Sequence, residues 1–474
     1  HVDGKPTSII SITSVNKPFL YDSVISEVTA GGRQIYMSLH PIILWDEKGN
    51  LKLRNANNKE GDELQVSHIQ IVLPQFTKPE AADFKSRIAN VLKQVNNAVR
   101  DWRPMLSTID KAISDIENIP SKKDYKGRQE AIAYLEWLKD KNFTLLGMRE
   151  YTYSNTAKVS KLKHDGKKGL GILSDPDLAV LRLGKEVVTT TPEIIAFLEG
   201  KDHIIVTKAN MRSVVHRRTY MDYIGVKRYN SKGEVTGELR IIGLFTSSAY
   251  STSVTKIPLL RAKINKVIAK FGFDQDSHSG KNLLNTLESY PRDDLFQIDA
   301  KLLYEFCVQI NDMEDRPRVR VLPRIDRFDR YVSILVYVPR HQYNSIVREK
   351  IGHYLKSVYG DRISAFYPAF PNDSITRVHF IIGRSGGKTP KFDQKHLEHD
   401  VQIIVTRWED QFNELAGLDA LRLSVNQSYK EHFSADESYA DLDNLIACTQ
   451  TDEMRITFLK RDDNLDDHIS MKIF

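Results

Sequence analysis

Four times along the chain, short segments with apolar residues at every second position are separated by stretches where they fall at helical spacing. A segment of the first kind buries one face of a sheet, and one of the second kind buries a stripe along a helix. Interleaved in this way, they predict an α+β fold of small antiparallel sheets covered and joined by helices. The sharpest instance is residues 220–247, YMDYIGVKRYNSKGEVTGELRIIGLFTS. Two arms, YIGVKRY and ELRIIGLF, flank a polar turn from Asn230 to Gly237. A one-residue slip in their pairing would turn every apolar side chain to the wrong face, so the register is strongly specified.

The first unit opens on SIISITS (8–14), a half-buried strand. After the turn Asn16-Lys17-Pro18, the residues Phe19, Leu20, Val24, Ile25 and Val28 fall at helical spacing until Gly31-Gly32 ends the run. QIYMSLHPIILW (34–45) reads as one strand, DEKGN (46–50) as a turn, LKLRN as the return and SHIQIVL (67–73) as a further strand. Residues 78–119 read as helices interrupted at Arg103-Pro104. This order suits a βαββαβ sandwich with both helices on one face. A helical connector (128–140) leads into the second unit. There FTLLGMREYTYS (143–154), AKVSKLKHDG (157–166), HIIVTKAN (203–210) and the hairpin arms predict a five-stranded antiparallel sheet. Short helices are expected at DPDLAVL (175–181) and PEIIAFL (192–198). Helices fill 256–315. VRVLPRID (319–326), RYVSILVYVP (330–339), a helix at 344–360, DRISAFYPAF and TRVHFIIG (376–383) form another small sandwich. A charged helix (392–416) and an irregular stretch follow. MRITFLKR and HISMKIF then read as the first hairpin of an incomplete fourth unit. The domain boundaries drawn from this are 1–125, 126–255, 256–315, 316–390 and 391–474.

Composition narrows the class. Apolar residues make up 41% and charged residues 27%, values of an ordinary globular protein. No apolar run approaches the roughly 18 residues that span a bilayer. HVDGKPTSII has no signal-peptide pattern and no initiator Met, which suggests a cytoplasmic chain cut from a longer one. Two thiols, Cys307 and Cys448, fit a reducing compartment, and Cys307 in LLYEFCVQI reads as a buried small hydrophobe. A net charge of +6, spread along the chain, gives no argument for nucleic acid.

No catalytic, cofactor-binding or metal-binding constellation emerges. GKKGLG (166–171) has the wrong spacing for a dinucleotide turn and lies among strands. GRSGGKT (383–389) is one residue short of a P-loop. His396 and His399 share a charged helix face, and no H-E-x-x-H, C-x-x-C or G-x-S-x-G occurs. The basic run Arg316 to Arg330 precedes a strand with Tyr331 and Tyr337 on one face, but lacks the aromatic pattern of RNA-stacking sheets. One feature has a ligand-binding logic. At Asn16, Lys17, Pro18, Phe19 and Leu20 a strand ends and a helix begins, and a helix N-terminus offers free N–H donors and a positive dipole end to a carboxylate. The N–H groups of Phe19 and Leu20 are the expected donors, with Asn16 at the ligand's polar end.

From NKPFLYDSVISEVTAGGRQIYMSLHPII onward the chain resembles the N-terminal region of the large bacterial NAD-dependent glutamate dehydrogenases. The likeness continues through YLEWLKDKNFTLLGMREY (134–151), GLGILSDPDLAVLR (169–182), TKANMRSVVHRRTYMDYIGVKRY (207–229) and GLFTSSAYSTSVTKIPLLRAK (243–263). It extends further through SHSGKNLLNTLESYPRDDLFQI (277–298), DRPRVRVL (315–322) and LVYVPRHQYN (335–344). Two mild departures are His341, where the family usually has an acid, and Ser279, usually Asp. The resemblance implies tandem ACT-like (ferredoxin-like) domains and a PAS-like antiparallel sheet joined by helices, all preceding the catalytic domain. It implies a parent enzyme that oxidatively deaminates L-glutamate to 2-oxoglutarate and ammonium with NAD as cofactor, while this region itself holds none. It further implies a regulatory and assembly role in a homo-oligomer, a possible amino-acid effector at Asn16–Leu20, and no nucleic-acid or membrane partner. An RNA-binding or scaffold protein built on ferredoxin-like sheets is the alternative.

Overall fold

The computed structural model describes residues 4–45, 51–53, 64–120, 124–156, 159–163, 169–178, 180–183, 186–187, 191–274, 276–313, 316–360, 362–384, 386, 388–417, 425–451, 453–460 and 469–474. The expected turn at 46–50 lies outside them, as do parts of GKKGLG and GRSGGKT. Two compact units make up the chain: residues 1–311 with 326–330 and 385–387, and the remainder.

The first unit begins with β1 (Thr7–Val15), α1 (Leu20–Thr29), β2 (Met37–Leu39), β3 (Ile42–Trp45), β4 (Leu51–Leu53) and β5 (Leu64–Pro74). The sheet order is β1-β5-β3-β4, with β2 also on β5 and every pairing antiparallel. The single strand expected at 34–45 is two. His40-Pro41 interrupts it, because Pro41 has no N–H for the ladder, while its carbonyl accepts from His68 at 3.1 Å. Leu20, Val24 and Val28 on α1 are buried against Ile12, Ile69, Ile71 and Leu73. Full burial of such a side chain stabilises by about 1.5–3 kcal/mol.

α2 (Lys78–Arg100) starts at Thr77, whose hydroxyl accepts from the Glu80 N–H while the Glu80 carboxylate accepts from the Thr77 N–H at 2.8 Å. This reciprocal cap satisfies two of the helix's orphan donors. α3 (Trp102–Glu117) follows after Asp101 alone. The break therefore falls at Asp101, two residues before Arg103, since a proline in the first turn of a helix sacrifices no intrahelical bond. No strand follows α2 before the middle sheet begins, so the first sandwich lacks the final strand of βαββαβ among the described residues.

α4 (Tyr125–Trp137) leads to the middle sheet, built from β6 (Phe143–Thr156), β7 (Val159–Lys163), β8 (Leu170–Gly171), β11 (Ile204–Arg212), β12 (Tyr220–Tyr229) and β13 (Val235–Phe245). Two short strands, β9 (Arg182–Leu183) and β10 (Glu186–Val187), and α5 (Pro192–Glu199) lie between β8 and β11. The order is β11-β12-β13-β6-β7, with β8 on β6, which makes six strands rather than the five expected. The hairpin arms pair as predicted, Ile224 opposite Ile241, but β13 already starts at Val235 and the turn is shorter than Asn230 to Gly237. Among the described residues of DPDLAVL the expected helix does not form. The buried Arg149 guanidinium instead donates to the carbonyls of Leu173 (2.7 Å), Asp175 (2.5 Å) and Leu178 (3.1 Å), which fixes that segment as an irregular loop. Inside this domain Arg240 and Glu238, 1% and 0% exposed, pair at 2.9 Å. Gly225 makes room for them, because a Cβ there would lie 2.5 Å from Glu238 Oε1. α6 (Ser247–Ser251), α7 (Leu260–Phe271), α8 (His278–Ser289), α9 (Arg292–Gln297) and α10 (Ala300–Asn311) complete the unit. Cys307 is fully buried on α10, and burial pushes its thiol up to about 12.

The second unit contains β14 (Arg320–Ile325), β15 (Tyr331–Pro339), α11 (Ser345–Tyr359), β16 (Arg362–Ala369), β17 (Ile375–Gly383) and α12 (Gln394–Val405). The sheet order is β14-β15-β17-β16, and α11 and α12 cover one face through Ile351, Leu355, Leu397, Val401 and Val405. Because α12 packs on this sheet, the compact domain continues past residue 390. The charged helix expected at 392–416 is interrupted at Thr406-Arg407, after which α13 (Trp408–Ala416) begins. The stretch read as irregular holds α14 (Gln427–His432), α15 (Ala435–Ala440) and α16 (Leu442–Thr451). Their capping residues Asn426 and Ser434 carry the signal that sequence reading missed. β18 (Ile456–Lys460) and β19 (Ile469–Ile473) pair as an antiparallel hairpin, as expected.

Candidate functional site

The strand–helix junction falls where the sequence placed it, with β1 ending at Val15 and α1 beginning at Leu20. Asn16 is tied to β5, its N–H donating to the Gln65 carbonyl at 2.8 Å and its amide to the Gln65 side chain at 3.2 Å. Lys17 extends to Asn96 on α2, 2.5 Å from its amide oxygen. Pro18 completes the turn. Phe19 precedes the helix in a left-handed conformation, φ +69°. A bulky residue there is strained, and such strain concentrates where surrounding contacts hold a functional geometry. The Leu20 N–H already approaches the Lys17 carbonyl, at a long 3.4 Å.

What faces this junction comes from a segment distant in the chain. Residues 213–219 bend back from the middle sheet against α1. His216, itself left-handed at φ +65°, sets its ring 5.1 Å from the Phe19 ring. Its N–H donates to the Ser23 hydroxyl at 2.8 Å, and its Nδ1 lies 3.3 Å from the Asp22 carboxylate. One turn on, the buried Glu27 carboxylate holds Arg87 of α2 at 2.5 Å and Arg218 of the same bend. The first sandwich and the middle sheet thus share one polar seam along α1. His40 of the HP motif stacks on Tyr21 at 4.6 Å and reaches the Ser67 hydroxyl at 2.6 Å; burial lowers its pKa.

A second charged cluster joins the middle sheet to α9. The Lys208 ammonium lies 2.6 Å from Asp222 and 2.8 Å from Asp293, and the Tyr250 hydroxyl donates to Asp293 at 2.9 Å. Burial pushes the Asp222 carboxyl up to about 6 against the pull of Lys208. In the second unit an open cleft of about 440 Å³ runs between α11 and β16, with Arg348, His353, Ser364 and Phe366 among its lining. Among the described residues no group of acidic, histidine and cysteine side chains could hold a metal, and no helix is long and apolar enough to cross a membrane. Tyr337 is 4% exposed and so cannot stack a base.

The fold is thus a set of small α+β domains, two of which meet along the polar seam of α1. Comparison with known sequences makes this specific. The glutamate dehydrogenase ACT1 domain model matches residues 3–88, helical motif 1 of the same enzymes matches 257–316, and their ACT2 domain matches 320–409. The NAD-specific glutamate dehydrogenase of Halomonas elongata is 29% identical over 98% of this chain and 30% of its own length. That of Pseudomonas aeruginosa is 29% identical over 95% of this chain and 28% of its own. That of Mycobacterium tuberculosis is 24% identical over 75% and 21%. The chain carries the ACT1 and ACT2 domains and helical motif 1 of glutamate dehydrogenases and is similar over nearly its whole length to the NAD-specific enzymes. It spans about three-tenths of the length of the curated relatives it matches.

Proposed function

We propose that this chain is the non-catalytic N-terminal regulatory and oligomerisation region of an NAD-dependent glutamate dehydrogenase, working in the cytoplasm as part of a homo-oligomer. The whole enzyme would convert L-glutamate, NAD and water to 2-oxoglutarate, ammonium and NADH, with NAD and the reacting groups held by other parts of the protein. The observation that carries this reading is the order ACT1, helical motif 1, ACT2 along a chain that covers under a third of its relatives. The six-stranded middle sheet takes the place of a PAS-like domain, and neither nucleic acid nor membrane is a partner. The purified chain should form no NADH from glutamate and NAD, and calorimetry should detect no NAD binding. Glutamate-dependent NADH formation by the chain alone would overturn the reading.

The effector, in this reading, is an amino acid whose carboxylate faces the start of α1, with Asn16, Lys17, Pro18, Phe19 and Leu20 around it. A helix terminus contributes roughly 0.3–2 kcal/mol to such an anion, so binding is weak, on the order of millimolar. Replacing Asn16 with Leu also removes the side-chain tie to Gln65 and should abolish binding shifts in an NMR titration with the common amino acids. If the unaltered chain gives no shifts with any of them, the junction is a packing element and not an effector site.

A further inference from the structure

The outer edge of β1 carries main-chain groups that no strand pairs among the described residues. The Asn16 N–H donates to the Gln65 carbonyl, on the β1 side of β5, while the Tyr36 N–H donates to the Val72 carbonyl and the His68 N–H to the Pro41 carbonyl, both on its other side. Main-chain groups alternate in direction along a strand. Odd-numbered residues of β5 therefore point to β1, and their partners Ser8, Ile10, Ile12 and Ser14 point back. Thr7, Ile9, Ser11, Thr13 and Val15 direct their N–H and C=O groups outward, and β1 is the last strand of its sheet. In the second unit the strand in the corresponding place, β15, has β14 on that side. Among the described residues β1 has nothing there.

Such an edge is usually blunted by charge, proline or a bulge. The other strands that end the larger sheets are: β4 carries Lys52, β14 carries Arg320, Pro323 and Arg324, β7 carries Lys161 and Lys163, β11 has Lys208, Arg212 and an irregular register, and β16 has Arg362, Pro368 and a register shift. β1, TSIISITSV, has no charge, proline or register shift over nine residues. Its pattern also matches itself in reverse. On the core face Ser8, Ile10, Ile12 and Ser14 read the same in both directions about Ser11. Antiparallel pairing centred on Ser11 would set Ile10 against Ile12, Ser8 against Ser14 and Ile9 against Thr13, in the phase that the outward groups require. A two-fold axis normal to the sheet then keeps the helices of both copies on one side of a continuous sheet.

We propose that two copies of this chain pair through β1, antiparallel and centred on Ser11, which deepens the assembly role proposed above. Ser11→Pro tests it cleanly, because the Ser11 N–H points outward and its loss leaves the β1–β5 ladder intact. Ser11→Lys instead sets two ammonium groups against each other at the axis. By sedimentation equilibrium of the whole chain, either variant should raise the dimer dissociation constant about tenfold or more. Ser11→Cys, in a chain also carrying Cys448→Ser, should form a covalent dimer on mild oxidation, because opposed residues of a hydrogen-bonded pair stand about 5.5 Å apart at Cα, within disulfide reach. Thr7→Cys, opposed by Val15 of the second copy, should not. Self-association unchanged by Pro and Lys at position 11 would overturn the β1 pairing while leaving the assembly reading in place. A Ser11→Cys chain that stays uncrosslinked, or a chain monomeric at every concentration, would overturn the pairing as well.

Discussion

Replacing Glu238 with Leu should destabilise the middle sheet by about 3–5 kcal/mol, the cost of stranding a buried charge. Arg240 is 1% exposed, and a guanidinium stays protonated in folded proteins, so it cannot escape the loss by shedding its proton. It lies 3.9 Å over the Tyr151 ring, which can share but not neutralise the charge. Tyr223 would lose the carboxylate to which its hydroxyl donates. The double variant Glu238→Leu, Arg240→Leu should recover most of the loss, because two apolar side chains of similar volume need no partners. Urea unfolding followed by near-UV circular dichroism measures both. A single variant within about 1 kcal/mol of the original would show that water reaches Arg240 after all.

Neither residue of that pair stood out in the sequence, although the strand that carries them did. ELRIIGLF alternates well enough to fix its own pairing, but alternation alone does not say whether its polar positions, Glu238 and Arg240, meet water or protein. The sheet is covered on both faces, Tyr223 and Phe197 packing on one side and Ile241 and Phe245 on the other. Alternation cannot reveal the second cover, because that cover comes from segments distant in sequence. The elements with local signals were legible: β1, α1, the 220–245 hairpin, α11 with Asn344 at its cap, and the terminal hairpin. The misplaced ones were decided by non-local contacts, such as the Arg149 guanidinium on the carbonyls of Leu173, Asp175 and Leu178, which holds residues 175–178 as an irregular loop.

The candidate site divides in the same way. Asn16 to Leu20 could be picked out because a strand end, a proline turn and a helix start are local features. What gives the junction its character is the bend at 213–219, nearly two hundred residues away. In the sequence this stretch, SVVHRR, only follows the strand at 203–210. Its relation to Ser23 and Glu27 depends on how the two sheets meet along α1.

Replacing Lys208 with Met should loosen α9 from the middle sheet, at a cost of about 2–4 kcal/mol that grows as the pH rises. Lys208 is the cation between Asp222, 4% exposed, and the less buried Asp293. Without it two carboxylates face each other, with the Tyr250 hydroxyl still donating to Asp293 and the Phe245 N–H to Asp222. Burial already holds the Asp222 carboxyl up to about 6, from an ordinary 3.8. The folded chain therefore binds more protons than the unfolded chain between those values, and stability falls as pH rises through that window. Removing the ammonium pushes the carboxyl higher still, so the fall should be deeper and extend further toward neutrality. Hydrogen exchange of residues 204–212 and 292–297 at about pH 5 and about pH 8 would resolve it. The variant should exchange close to the original at the lower pH and much faster at the higher one. Adding Asp222→Asn to Lys208→Met should remove most of the pH dependence, because the asparagine keeps the acceptor for the Phe245 N–H and cannot ionise. A Lys208→Met chain whose exchange is raised equally at both pH values would mean that lost packing, not carboxylate repulsion, is the cause.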